Sequence, residues 1–370
     1  MTVTKGLEGI VATTSSVSSI IDGVLTYRGY NIDDLAENAT YEEVVYLLWY
    51  GKLPNRAELS GLLKALSENA DIPAQVVELI RSFPKDANSM AVLRTAVSAL
   101  ALFDTEAHEL DLDTNKRIAV RLQAKLPTIV AAFDRIRRGL EPVAPKAGAG
   151  VAENFLYMLS GKQPDKVAIE ALDKALVLHA DHELNASTFA SRVTVATLSD
   201  MYSGVTSAIG ALRGPLHGGA NEAVMAMLEE IGSMDNVEKY VQDKLDNKQK
   251  IMGFGHRVYK NGDPRAKHLQ KMSYELGKLT GDMKWYDMSI KIEELVTGQK
   301  GLKPNVDFYS ASVYTALEIP RDLFTPIFAI SRVSGWTAHI LEQYENNRLI
   351  RPRAEYIGPT DQKVVPIDQR

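Results

Sequence analysis

Residues 323–344 read LFTPIFAISRVSGWTAHILEQY. Phe328, Ile330, Val333 and Trp336 give this stretch the apolar content and spacing of a helix. Arg332, beside Ser331, interrupts it. A helix this apolar belongs in an interior, and a guanidinium on it must find an anion, from the protein or from a ligand. The stretch therefore points to a helical fold with an unanswered positive charge inside it.

The same periodicity runs outward through the chain. Tyr41 to Trp49 sets Val44, Val45, Leu47 and Leu48 against Glu42 and Glu43, and Met90 to Phe103 is rich in Ala and Leu without internal Pro or Gly. Pro164 sits where a helix can start, ahead of Val167, Leu172, Leu176, Val177 and His179. Ala220–Ile231, Val237–Leu245 and Pro264–Leu276 repeat the pattern. Strand-like alternation is confined to roughly the first thirty residues. There, Ile10–Ala12 and Ile20–Tyr27 surround a Thr/Ser cluster and the hairpin dipeptide Asp22-Gly23. The expected class is all-α, with a small N-terminal β element. Breaks at residues 141–150, 213–219 and 298–304 mark changes of module.

The 370 residues suffice for two domains or one large one, and the composition (45% hydrophobic, 24% charged) is that of a globular protein. With no cysteine there is no disulfide, thiol nucleophile, thiolate metal site or iron–sulfur cluster. A net charge of −5 argues against a general nucleic-acid or anionic-membrane binder. No apolar run approaches a membrane span, and no signal sequence is recognisable, so a cytoplasmic protein is expected.

Histidines occupy the unusual settings. His179-Ala-Asp-His182-Glu183 would place two imidazoles at i, i+3 on one helical face, either as a substrate contact or as two satisfied buried histidines. The order does not match the His-Glu-x-x-His of zinc proteases, so no metal is expected. His217 lies between Gly214-Pro215 and the Gly218-Gly219 pair, just ahead of a helix near Asn221. A helix N-terminus disfavours imidazolium, and a neutral ring can donate to a developing oxyanion. Met252-Gly253-Phe254-Gly255-His256 lacks the third glycine and the preceding strand of a dinucleotide fingerprint. Asp263-Pro264-Arg265 reads as a helix cap, and Asp307 taken singly reads as an N-cap before it reads as a base. Neither a P-loop nor a Gly-x-Ser-x-Gly elbow is present. Neutral-capable histidines, an aspartate and several arginines suit a non-covalent reaction that deprotonates a carbon acid while a multi-carboxylate partner is held.

GPLHGGAN (214–221), GFGHRVYKNGDPR (253–265), PNVDFYS (304–310), HADHE (179–183) and the late SR and RPR segments resemble the citrate synthase family in order and spacing. The resemblance covers essentially the whole chain and is closest to the shorter bacterial and archaeal members. It implies a two-domain helical fold: residues 1–216 and 324–370 forming a large domain that makes the dimer contacts, and 217–323 a small domain carrying the CoA site. It further implies that Asp307 takes a proton from the methyl of acetyl-CoA while His217 holds the thioester oxygen. His256 would be the acid at the oxaloacetate carbonyl. His182, Arg265 and Arg332 would bind oxaloacetate, joined by Arg351 from the other subunit of a homodimer. Met252, Gly253, Phe254, Gly255 and Asn305 would line the CoA site, with Lys300 or Lys303 near its phosphates. Acetyl-CoA and oxaloacetate are then the partners, with no cofactor, metal, nucleic acid or membrane. The nearest rival is 2-methylcitrate synthase, which uses propionyl-CoA with the same catalytic set; a helical scaffold without chemistry is the rival of another class.

Overall fold

The computed structural model describes residues 5–7, 9–256, 258–259 and 262–370. Three strands come first, β1 (Ser18–Ile21), β2 (Val24–Tyr27) and β3 (Tyr30–Asn31), paired antiparallel in that order with Ser18 opposite Tyr27 and Thr26 opposite Asn31. Asp22 (φ 52°) and Gly23 (φ 79°) form the tight turn between β1 and β2, both left-handed as a two-residue hairpin loop requires. The Ile10–Ala12 stretch, read as strand-like, is irregular and exposed, because no strand pairs with it.

Sixteen α-helices follow among the described residues. They are α1 (Ile32–Asn38), α2 (Tyr41–Tyr50), α3 (Arg56–Glu68), α4 (Ala74–Arg81), α5 (Ser89–Leu100), α6 (Leu112–Arg137), α7 (Val151–Ser160) and α8 (Lys166–His179). The chain continues with α9 (Ala186–Val195), α10 (Met201–Leu212), α11 (Ala220–Ile231), α12 (Met234–Asp246), α13 (Ala266–Thr280), α14 (Lys284–Lys300), α15 (Val306–Ala316) and α16 (Phe324–Glu345). The protein is therefore all-α apart from its small sheet. Side-chain caps set many of the starts: Thr40 and Glu43 form a capping box on α2, and Asp165, Asn185 and Asn305 each accept an N–H of the helix they open. Two expected starts shift accordingly. Pro164 precedes the cap of α8, and α13 begins at Ala266, after Pro264. The third break is shorter than read, because α14 continues to Lys300.

The stretch 323–344 forms α16, almost wholly buried and packed against α2, α6, α8, α9 and α10. A helix buried on nearly every side has no solvent face to offer, so it becomes the centre around which the others assemble. Gly335 lets it approach the turn after α8: a Cβ there would lie 2.4 Å from the Ala180 carbonyl oxygen. A second group of helices packs on itself, α11 and α13 on α15 and α12 on α14, and α13 and α15 also reach α8. The C-terminal end of α8 is thus where both groups meet.

Candidate active site

A helix ends with carbonyls that lack intrahelical partners, and the last turn carries the negative end of the dipole. At the end of α8, Ser331 Oγ donates to Leu176 O (2.5 Å), and the Tyr27 hydroxyl reaches Val177 O (3.2 Å) and Asp181 O (3.0 Å). Arg265 Nη1 lies 3.5 Å from Leu178 O, and Arg332 Nε donates to His179 O at 2.7 Å. Two buried guanidiniums therefore share one helix terminus. The helix stops at His179, so His182 lies in the following turn, and the expected i, i+3 helical face does not exist. Tertiary donors end it: they take the carbonyls that another turn would have used.

The two arginines differ. Arg265 is clamped by Asp263, Nε to Oδ1 at 2.9 Å and Nη2 to Oδ2 at 2.8 Å. Arg332 is 2% exposed and makes no ion pair among the described residues. Its guanidinium stacks 4.6 Å over Phe328, and burial pulls its pKa down to about 10. A buried cation without a carboxylate is costly unless a ligand supplies one.

The histidines around them are held neutral. Burial, then the Arg332 charge, lowers His217 to about 4. The backbone N–H of Ser187 donates to His217 Nε2 (3.2 Å), and the Ser187 hydroxyl lies 2.8 Å from the same nitrogen. That hydroxyl accepts from Trp336 Nε1 at 3.0 Å, and Asn185 Oδ1, also 2.8 Å away, is the other acceptor within reach of its single proton. With Nε2 accepting, the ring proton is assigned to Nδ1.

His256 mirrors this arrangement: its Nδ1 accepts from Val258 N (3.1 Å) and Tyr259 N (3.4 Å), which assigns the proton to Nε2. Burial, then Arg265, lowers its pKa. His182 stands 5.3 Å from His256 between ring centres, and its Nε2 meets the Tyr259 hydroxyl at 3.0 Å. Burial and both arginines hold His182 well below its ordinary value. His179 is satisfied only in part: Nδ1 faces Ala175 O at 2.7 Å, and Nε2 has no partner among the described residues.

Asp307 is the second residue of α15, but it is not the cap. Asn305 accepts the Asp307 N–H at 3.0 Å and leaves the Asp307 carboxyl free for the site. Burial pushes Asp307 up to about 6, against the pull of Arg265 and Arg332. The glycine turn is stitched to the same segment: Gly255 N donates to Lys303 O (3.1 Å), Asn305 N to Gly253 O (2.8 Å) and Asn305 Nδ2 to Gly255 O (3.0 Å). Gly253 is left-handed (φ 82°), and a Cβ would fall 2.7 Å from Phe308, so only glycine fits. Met252, Phe254 and Gly255 are half-buried around this turn. Arg257, Lys260 and Asn261 of the quoted segment lie outside the described residues.

His182, His217, His256, Arg265, Arg332 and Asp307 thus belong to one site. Lys300 and Lys303 are exposed at the end of α14 and just beyond it, and Arg351 is exposed in the extended tail after α16. Sequence reasoning did not single out Ser187, Trp336 or Tyr259, which orient the rings, and it read Asp263 as a cap. Six residues (Ser187, Trp336, Tyr259, Tyr27, Asp263 and Ser331) act through long-range hydrogen bonds, whereas Asn185 acts locally as the cap of α9; Asp263, two positions before Arg265, also had a local clue. Among the described residues no three His, Asp or Glu side chains form a metal-holding group, and no helix is long and apolar enough to cross a membrane.

The geometry brings neutral imidazoles, one carboxylate and two cations together around the end of α8. The profile described as "Citrate synthase, C-terminal domain" matches residues 6–353. The chain is 64% identical to citrate synthase 2 of Bacillus subtilis, covering all of both proteins. It is 44% identical to 2-methylcitrate synthase 1 of Corynebacterium glutamicum, covering 100% of this chain and 98% of that one. Among solved structures, it superposes with a TM-score of 0.92 and 38% identity, over the full length of both, on the Thermoplasma acidophilum citrate synthase in ternary complex with carboxymethyl coenzyme A and oxaloacetate.

Proposed function

The chain belongs to the citrate synthase family, and from that premise we infer how its own residues divide the work of joining acetyl-CoA to oxaloacetate and water to give citrate and CoA. As an acyltransferase that turns an acyl group into an alkyl group, it must make a carbon nucleophile from a very weakly acidic methyl. Asp307 removes that proton. Its pKa of about 6 makes it a stronger base than an ordinary carboxylate, yet leaves it ionised above neutrality. His217 donates from Nδ1 to the thioester oxygen as the enol forms, which a neutral ring does without delivering a full charge. The enol carbon attacks the oxaloacetate carbonyl, to which His256 gives a proton from Nε2; water then hydrolyses citryl-CoA.

Arg265, Arg332 and His182 hold the oxaloacetate. The observation that carries this reading is Arg332, buried without an ion pair among the described residues, close enough to His217, His182 and Asp307 to lower the pKa of each. A dicarboxylate supplies the missing anion, and a guanidinium matches it with two parallel hydrogen bonds. Arg351 serves the same pocket of a second copy, which makes the enzyme a homodimer with shared sites. Met252 to Gly255, Asn305 and Lys300 or Lys303 receive CoA. Residues 217–323 act as the small domain that closes on the rest and excludes water from the enol.

Release of CoA thiol from acetyl-CoA, with and without oxaloacetate, tests the assignment against a protein with no thiol of its own. Oxaloacetate-dependent release that is faster with acetyl-CoA than with propionyl-CoA is the expected result. The relative from Corynebacterium supports propionyl-CoA as the second reading, since one methylene in an apolar pocket changes discrimination by about 10–200-fold. No release with either acyl-CoA overturns the catalytic reading.

A further inference from the structure

We propose that Asp263 is a positioning residue that ties the oxaloacetate-holding Arg265 to the helix carrying Asp307, so that one carboxylate sets the geometry of both substrates' sites. The proposal rests on the roles assigned above to Arg265 and Asp307.

The Asp263 side chain is fully buried and has no contact with solvent. A carboxylate can accept about four hydrogen bonds. Asp263 accepts four: Oδ1 from Arg265 N (3.1 Å) and Arg265 Nε (2.9 Å), and Oδ2 from Arg265 Nη2 (2.8 Å) and Val306 N (3.1 Å). The bonds from Nε and Nη2 fix the guanidinium in plane and leave Nη1 as its free edge, with only the 3.5 Å approach to Leu178 O, while the first holds the Arg265 backbone. The fourth reaches across 43 positions of sequence to the first residue of α15, immediately before Asp307. Val306 N is one of the donors that a helix N-terminus leaves unpaired, and Asp263 satisfies it from another segment. A displacement of this carboxylate therefore moves Arg265 and Asp307 together.

Its charge acts on the same two groups. Arg265 favours the ionised form of Asp307, and Asp263 opposes it. The other charges facing α15 are Arg332 of α16, Glu222 of α11, bonded to Thr325, and Glu293 of α14, bonded to Tyr309; Tyr314 lies on α15 itself and His179 on α8. With Asp263 neutral, the Arg265 field on Asp307 is no longer offset, so the base weakens. The acid limb of the kcat profile, where Asp307 becomes protonated, then moves to lower pH.

Two substitutions separate charge from geometry. Asp263→Asn removes the charge at equal size, though its NH2 must face one pair of the four donors: the acid limb of kcat moves down by about one pH unit, with a lower plateau. Asp263→Glu keeps the charge and misplaces it by one methylene: the limb stays in place, while KM for oxaloacetate rises about tenfold. A residue with a merely structural role would lower Tm and kcat in both variants and leave the acid limb and KM where they are. That outcome overturns the proposal, as does an unchanged oxaloacetate KM in Asp263→Glu. If Asp263→Asn does not fold, the KM-against-kcat split of Asp263→Glu decides alone. Asp307→Asn is the control on the underlying reading: if it keeps turnover, the base assignment has failed, whereas a dead Asp307→Asn beside unaffected Asp263 variants refutes only the positioning role.

Discussion

Two arginines assigned to the same ligand occupy opposite environments. Arg332 is buried at the centre of α16, anchored to the last carbonyl of α8 and stacked on Phe328. Arg351 lies in a tail whose residues 351–370 are exposed throughout, among them Ile357 (94%) and Val364 (89%). One part of the site is thus finished within a single chain. The other exposes apolar and cationic groups that gain a purpose only against another surface, as the proposed dimer provides.

The largest effect expected is that of Asp307→Asn, which should lower kcat by about 10²–10⁴-fold while oxaloacetate binding persists, read by turnover and by calorimetry. Next comes Arg332→Met. It should abolish measurable oxaloacetate binding yet hold or raise Tm, because a buried cation with no ion-pair partner among the described residues is replaced by an apolar side chain of similar length. A fall of several degrees in Tm would mean that Arg332 is structural.

Arg351→Ala should weaken oxaloacetate binding about tenfold with Tm unmoved, since an exposed side chain supports little of the fold. Mixed with Asp307→Asn after verified subunit exchange, it should restore about one working site per heterodimer, the second site carrying both lesions. No recovery would return Arg351 to its own subunit and dissolve the contrast with Arg332.

The pH dependence is subtler. Asp307 must be ionised to act, so kcat should fall as pH drops through about 6. His217, held at about 4, stays neutral over that range and contributes no limb there. The smallest effect belongs to Ser187→Ala: the Ser187 backbone N–H still donates to His217 Nε2, so the tautomer survives and kcat should fall by less than about tenfold.

Most of the fold was legible because helical periodicity is local. The stretches around α2, α5, α11 and α16 were read within a few residues of their ends. The longest helix, α6, escaped notice, since Pro127 inside it reads as a break, yet the surrounding packing carries the helix through. The end of α8 was misread for the opposite reason: the sequence permits another turn, and Tyr27 and Arg332 forbid it.

The site divides along the same line. The sequence by itself determined which residue types are available, and the order of the quoted segments indicated the family. It could not say which nitrogen of His217 or His256 carries the proton, that Asn305 rather than Asp307 caps α15, or that Asp263 answers both Arg265 and Val306. The His217 and Asp263 contacts join segments tens of positions apart, those of His256 and Asn305 lie within three residues but form only in the folded backbone, and burial together with the arginine charges sets the electrostatics. Tertiary structure decided them because a proton's position and a carboxyl's affinity are properties of the surroundings, which the chain creates only when it has folded.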